Sequence, residues 1–110
     1  MLRILMTTVG DSKQADELAN KILERKLAAC VSIFPIVSKY WWRGSLEEAQ
    51  EFMLLVKTRE ELVRDLIDFI KGEHPYEVPE IIVLPVEIAG DDYLRWVEDV
   101  TLREAARPDR

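Results

Sequence analysis

The sequence is poor in cysteine, histidine and glycine, and it has no long apolar run. A single cysteine, Cys30, excludes an internal disulfide, and a reducing compartment is therefore expected. The longest uncharged stretch, Leu27 to Ser38, has twelve residues and contains Pro35. A membrane-spanning helix needs about 20 apolar residues, so no span is predicted. The first residues lack the pattern of a secretory signal, and we expect a cytoplasmic protein without membrane contacts.

Basic residues are also scarce relative to acidic ones. Fifteen Lys and Arg against twenty-one Asp and Glu give a formal net charge of −6. A chain without a basic block lacks the cationic contacts that bind phosphate backbones, so no nucleic-acid partner is expected. The hydrophobic share of 48% and charged share of 33% are typical of a folded globular domain. We predict one domain over residues 1–102 and a charged tail over residues 103–110.

Hydrophobic periodicity predicts the order β-α-β-β-α-β followed by a third helix. Asp11 and Thr58 are expected to cap the first two helices, because Gln14 and Glu61 follow three residues later as in a capping box. The order is the ferredoxin-like pattern, an α+β fold in which two helices cover one face of a mainly antiparallel sheet. The strands are predicted over residues 2–8, 28–43, 50–57 and 79–88.

Two features of this sheet would leave apolar surface exposed to water in a single chain. Residues 52–56 and 81–84 are continuous apolar runs, although a sheet with one wet face alternates apolar and polar residues. The central hairpin is long, with a bulge or bend expected at Pro35 and a loop around residues 44–49. Its far end carries three aromatics at residues 40–42, which would form an adhesive patch in water. We expect identical subunits to cover both features; the alternative is a hairpin that folds back onto its own domain.

Four short segments carry a resemblance to a known family. In chain order they are Leu27–Val31, Tyr40–Gly44, Leu55–Thr58 and His74–Glu80. Together, and at this spacing, they resemble the CutA divalent-cation tolerance family, and the similarity extends from about residue 2 to residue 100. The resemblance implies a cytoplasmic, ferredoxin-like homotrimer with an extended hairpin, related in architecture to PII signalling proteins. It also implies a role in tolerance of copper and other divalent cations, with no established enzymatic activity.

The single histidine is the first candidate metal ligand. His74 follows a predicted helix end, where unpaired carbonyls attract cations, and Glu73 precedes it. An imidazole and a carboxylate suit Cu(II) or Zn(II); the alternative is that His74 caps those carbonyls. The resemblance implies copper ligands at the positions of Met6, Glu73 and His74, where some bacterial members have a cysteine and two histidines. Because one histidine without a nearby thiolate makes a closed tetrahedral site implausible, divalent-cation binding is expected to be weak, shared between subunits, or at an acidic surface.

The family-like segments also contain residues suited to a ligand cleft. Lys57 closes an apolar strand and could contact an anionic ligand, while Trp42 could supply a stacking wall beside Tyr76 and Glu80. The alternative for Lys57 is an ion pair with a carboxylate of another subunit. Cys30 is expected to be a small buried hydrophobe, with ligand or redox roles as alternatives.

The sequence contains neither a glycine-rich phosphate loop nor a Cys-x-x-Cys pair, and one histidine leaves few catalytic arrangements. We therefore expect a non-enzymatic homotrimer that binds divalent metal cations, with copper as the candidate. The alternative is a PII-like trimeric sensor or interaction module that binds a small anionic ligand at inter-subunit clefts. An uncharacterised enzyme at those clefts is a third hypothesis.

Overall fold

The computed structural model describes residues 1–101, and the predicted tail lies outside them. The observed order of strands and helices confirms the α+β class and the predicted β-α-β-β-α-β order with a third helix. No helix within the described part of the chain is long and apolar enough to cross a membrane. The elements are β1 Leu2–Val9, α1 Ser12–Glu24, β2 Cys30–Trp42, β3 Ser45–Arg59, α2 Val63–Glu73, β4 Ile82–Pro85 and α3 Asp91–Val100, with a 3-10 turn at Glu60–Leu62 before α2.

The four strands form one antiparallel sheet in the order β2-β3-β1-β4. The central strand β1 pairs with β3 from Leu2 opposite Arg59 to Val9 opposite Phe52. Helices α1 and α2 cover one face of the sheet and form the core with it. Full burial of such aliphatic side chains stabilises the fold by about 1.5–3 kcal/mol each. The fully buried core members include Leu5, Leu54 and Val56 from the sheet and Ile22, Leu66 and Ile70 from the helices.

The hairpin of β2 and β3 is regular along its whole length. Its register runs from Cys30 opposite Lys57 to Trp42 opposite Ser45 without an inserted residue. The bulge expected at Pro35 is therefore wrong. Because β2 is an edge strand, a proline can be accommodated where its missing N–H would face away from the ladder.

The turn of this hairpin is shorter than the sequence predicts. Only Arg43 and Gly44 separate the two strands, with φ angles of 50° and 81°. Two successive positive φ values are the signature of a type I′ turn, whose twist matches that of a hairpin. The loop expected around residues 44–49 is therefore wrong, and β3 begins at Ser45.

One predicted helix cap is confirmed, while the second cap and the length of the last strand differ from the prediction. The cap at Asp11 is confirmed, since its Oδ1 accepts a bond from the Gln14 N–H at 2.8 Å. The capping box expected at Thr58 is wrong, because its hydroxyl instead donates to the Leu27 carbonyl at 2.7 Å and β3 continues to Arg59. The last strand, predicted over residues 79–88, is only four residues long. It pairs with a correspondingly short part of β1, opposite residues 3–6.

The second face of the sheet, which we call the open face, is apolar but not covered by α1 and α2. The strand register places Met6, Phe34, Ile82 and Leu84 on it. The last three are 40%, 47% and 43% exposed. Helix α3 lies at one end of this face, where the Arg59 Nε–H donates to the Thr101 hydroxyl at 3.0 Å.

Candidate functional site

His74 sits directly after α2 and uses both of its ring nitrogens within the chain. Its Nε2 lies 2.8 Å from the Thr8 carbonyl oxygen, which can only accept, so Nε2 carries the proton. Nδ1 then accepts the Tyr76 backbone N–H at 3.1 Å. Burial is the main cause that lowers the pKa of the ring, in agreement with a neutral imidazole. The cap of α2 comes from the backbone instead, since the His74 N–H donates to the Ile70 carbonyl at 2.8 Å.

The other two residues of the predicted metal set face elsewhere. Glu73 is exposed, and its Oε1 accepts from Lys21 Nζ of α1 at 2.8 Å. This hydrogen bond is the main cause that lowers the pKa of Glu73. Met6 lies on the open face, between Leu55 of β3 and Ile82 of β4. Within residues 1–101, no three His, Cys, Asp or Glu side chains are grouped to hold a metal ion.

A cleft of about 760 Å³ lies between the hairpin and the segment that follows α2. We call it the hairpin cleft. Three of the four residues predicted for a ligand cleft, Trp42, Tyr76 and Glu80, line it together, whereas Lys57 does not. Its lining residues are 38–42 of β2, 75–78 and 80 of the connection to β4, Thr8 of β1 and Glu51 of β3.

Glu51, which is not among the residues predicted from the sequence, forms part of the cleft lining. The residue is only 7% exposed, and its Oε2 accepts a hydrogen bond from the Tyr76 hydroxyl at an O···O distance of 2.6 Å. Burial, followed by this hydrogen bond, raises the pKa of Tyr76. No lysine or arginine among residues 1–101 forms an ion pair with Glu51. The available signal was strand parity, because Glu51 shares its side of β3 with Met53 and Leu55.

One cation of the chain already occupies the rim of the cleft. The Arg43 guanidinium lies 5.3 Å from the centre of the Trp42 ring and 3.3 Å from the Glu77 carboxylate. The hairpin turn therefore contacts the segment that follows α2 through one exposed ion pair. Trp41 nevertheless remains 73% exposed, so this contact does not cover the aromatic tip.

Lys57 and Cys30 lie together on the open face, away from the hairpin cleft. Lys57 Nζ donates to the Ser32 hydroxyl and lies 3.9 Å from the Cys30 sulfur. Cys30 is half-buried rather than part of the core, because its strand position turns it away from α1 and α2. Burial, with a smaller effect of Cys30, raises the pKa of the neighbouring Tyr93.

Residues 3–100 match the family model for the CutA1 divalent ion tolerance protein. The chain belongs to the CutA1 family. Human Protein CutA is 46% identical over 95 residues, covering 86% of this chain and 53% of the human one. The Archaeoglobus fulgidus divalent-cation tolerance protein CutA is 39% identical over 99 residues, covering 90% of this chain and 97% of the archaeal one. The chain thus spans about half the length of the human relative and nearly all of the archaeal one.

Solved CutA1 structures share the fold. The A. fulgidus protein, described as a periplasmic divalent cation tolerance protein, superposes with a TM-score of 0.89 at 39% identity, covering 91% of this chain and 98% of that one. The Thermus thermophilus divalent cation tolerance protein gives 0.88 at 39% identity, covering 92% and 99%. The family assignment therefore rests on sequence and structure together.

Proposed function

We propose that this CutA1-family chain is a non-enzymatic, cytoplasmic homotrimer that binds a divalent metal cation, with copper as the candidate. Membership of a family described by divalent ion tolerance supports the cation part. The name of the archaeal relative, a divalent-cation tolerance protein, supports it further. The location in the cytoplasm stays a prediction, and the A. fulgidus structure is described as periplasmic.

The observation that carries the proposal is the open face of the sheet. Phe34, Ile82 and Leu84 leave apolar area in water there, and such a patch is typical of a surface covered by a second copy. The same face carries the sulfur atoms of Met6 and Cys30. Thioether and thiolate sulfur are ligands that favour copper, Cu(I) above all. Copies that meet at this face would bring together donors that one chain keeps apart.

Copper binding at His74 and Glu73 would require existing hydrogen bonds within the chain to break. A metal at His74 must displace either the Thr8 carbonyl from Nε2 or the Tyr76 N–H from Nδ1. A metal at Glu73 must compete with the Lys21 ammonium. We therefore expect Met6 and Cys30 to determine copper affinity more than His74 does.

Calorimetric titration of the metal-free assembled protein tests this proposal, with Cu(II) and with Cu(I) in separate experiments. Met6→Leu and Cys30→Ser are expected to weaken copper binding, while His74→Gln leaves it unchanged. Loss of binding in His74→Gln alone would move the site back to the histidine. Absence of saturable Cu(II) binding by the wild type would refute the divalent-cation part, and binding of Cu(I) alone would not rescue it.

Sedimentation velocity tests the trimer separately. A three-subunit mass at micromolar concentration is expected, because only another subunit can bury the apolar side chains of the open face. A stable monomer at that concentration would refute the assembly and, with it, any site shared between subunits.

One observation favours the PII-like alternative. Lys57 is half-buried on the open face, and no carboxylate among residues 1–101 pairs with it. An anionic ligand at a subunit boundary would supply the missing charge. Crystals of the untreated protein decide the matter, since ligand density beside Lys57 supports the alternative, whereas a carboxylate of another subunit there excludes it.

A further inference from the structure

The hairpin cleft takes no part in the proposed copper site, and its lining has a chemistry of its own. We propose that the hairpin cleft binds a small organic cation that carries a guanidinium or alkylammonium group. Thr8 and Glu51 of its lining share a side of the sheet with the open face, but the cleft lies at the hairpin end and includes neither Met6 nor Cys30. The two proposals use different side chains, so either can fail without the other.

The size of the cleft favours an organic ligand over a bare ion. Its volume of about 760 Å³ lies within the range of roughly 300–1,000 Å³ that is typical of sites for small molecules. Its lining combines aromatic rings with a few polar groups, as in such sites. A metal ion alone would leave most of this space to water.

The charge of the cleft favours a cation. Glu51 is nine-tenths buried and receives the Tyr76 hydroxyl, but no basic side chain of the described residues pairs with it. A buried carboxylate is costly unless a cation or several donors compensate it. Glu80 lines the same cleft, and Lys39 at its wall is already 3.3 Å from Glu48. An anionic ligand would meet the Glu51 carboxylate without a free cation beside it.

The aromatic wall favours a planar or alkylated cation in particular. Tyr40, Trp42 and Tyr76 present rings to the cleft, and a guanidinium or ammonium is attracted to the face of such rings. The chain already uses this pairing at the rim, where Arg43 lies over Trp42 and reaches Glu77. The proposed ligand repeats that arrangement deeper in the cleft, with Glu51 in place of Glu77.

Calorimetry with butylguanidinium and with butylurea tests the proposal on the assembled wild-type protein. The two probes have nearly the same shape, and only the first is charged. Butylguanidinium is expected to bind saturably, and butylurea at least roughly tenfold more weakly, because charge-assisted hydrogen bonds are about twice as strong as neutral ones. Equal binding of both probes, or no binding of butylguanidinium at millimolar concentration, would overturn the proposal.

Variants locate the binding. Glu51→Gln keeps the size of the side chain and is expected to weaken butylguanidinium binding about tenfold, while Glu98→Gln, an exposed carboxylate outside the cleft, leaves it unchanged. Unchanged binding in Glu51→Gln, or an equal loss in Glu98→Gln, would refute the site. Should Glu51→Gln fail to assemble, Glu80→Gln replaces it with the same expectation.

A measurement on the wild type makes the test independent of folding effects. Nuclear Overhauser contacts are expected between the butyl protons and the ring protons of Trp42 and Tyr76. Contacts to α3 aromatics instead would place the ligand elsewhere and overturn the assignment. Copper binding by Glu51→Gln should equal that of the wild type, which separates a failure of this inference from a failure of the copper proposal.

Discussion

Two buried threonines of adjacent strands provide a matched test of hydrogen-bond energetics in this fold. Thr7 of β1 and Thr58 of β3 are both fully buried on the side of the sheet that faces α1 and α2. Among the described residues the Thr7 hydroxyl has no hydrogen-bond partner, whereas the Thr58 hydroxyl donates to the Leu27 carbonyl at 2.7 Å. The same substitution to valine, which has nearly the same shape, should therefore change stability in opposite directions.

The magnitudes follow from what each hydroxyl does. Burial of an unpaired hydroxyl costs about 1–3 kcal/mol, so Thr7→Val is expected to raise the free energy of unfolding by about 1 kcal/mol. Thr58→Val leaves the Leu27 carbonyl without its donor and is expected to lower that free energy by about 1–3 kcal/mol. For a domain of this size, 1 kcal/mol corresponds to a shift in Tm of about 4 °C or more.

Urea unfolding at one fixed protein concentration measures both changes, because the stability of an oligomer depends on concentration. The m-value should stay constant, so that a shift in midpoint reports stability alone. A destabilised Thr7→Val, or a Thr58→Val indistinguishable from the wild type, would refute the assignment of these two hydroxyls.

Three further predictions concern the open face, the cleft and pH. Leu84→Lys should dissociate the assembly in sedimentation velocity, because it places a charge on the open face. Leu23→Lys on α1 should leave the assembly intact. An intact Leu84→Lys oligomer would contradict the proposed interface. Tyr76→Phe removes the hydroxyl that Glu51 accepts and should lower the free energy of unfolding in urea by about 1.5–3 kcal/mol; a neutral effect would show that the bond contributes nothing. The folded-state pKa of His74 is lowered, so its contribution to stability is present above pH 6.5 and is lost as pH falls from there through the folded pKa. With a metal chelator present, His74→Gln should reduce the dependence of the unfolding free energy on pH in this range. Equal pH dependence in the variant and the wild type would contradict this assignment.

The fold could be predicted where local chemistry acts alone. The cap at Asp11 needs only its own carboxylate and a nearby N–H, and it forms as predicted. The same reasoning failed at Thr58, because a distant carbonyl, that of Leu27, competes for the hydroxyl. The hairpin turn was missed because Gly44 signals a positive φ but Arg43 does not.

The cleft was predictable in part. Trp42, Tyr76 and Glu80 were identified from the family-like segments, and the structure brings them together. Glu51 was missed because a glutamate is usually solvated, although its strand parity is that of Met53 and Leu55. Lys57 lies further along the same side of β3, opposite Cys30, and its predicted role at an inter-subunit cleft stays a prediction.

The position of His74 shows why one histidine could not be interpreted from sequence. A ligand and a structural histidine differ only in whether a ring nitrogen keeps a free lone pair, and that depends on residues far away in the chain. Here the Nε2–H donates to the Thr8 carbonyl, and Nδ1 accepts from the Tyr76 N–H. The ring thereby fixes the backbone of Tyr76, whose hydroxyl in turn binds Glu51. Rotation of His74 toward a metal would break these two hydrogen bonds and loosen this connection to the cleft.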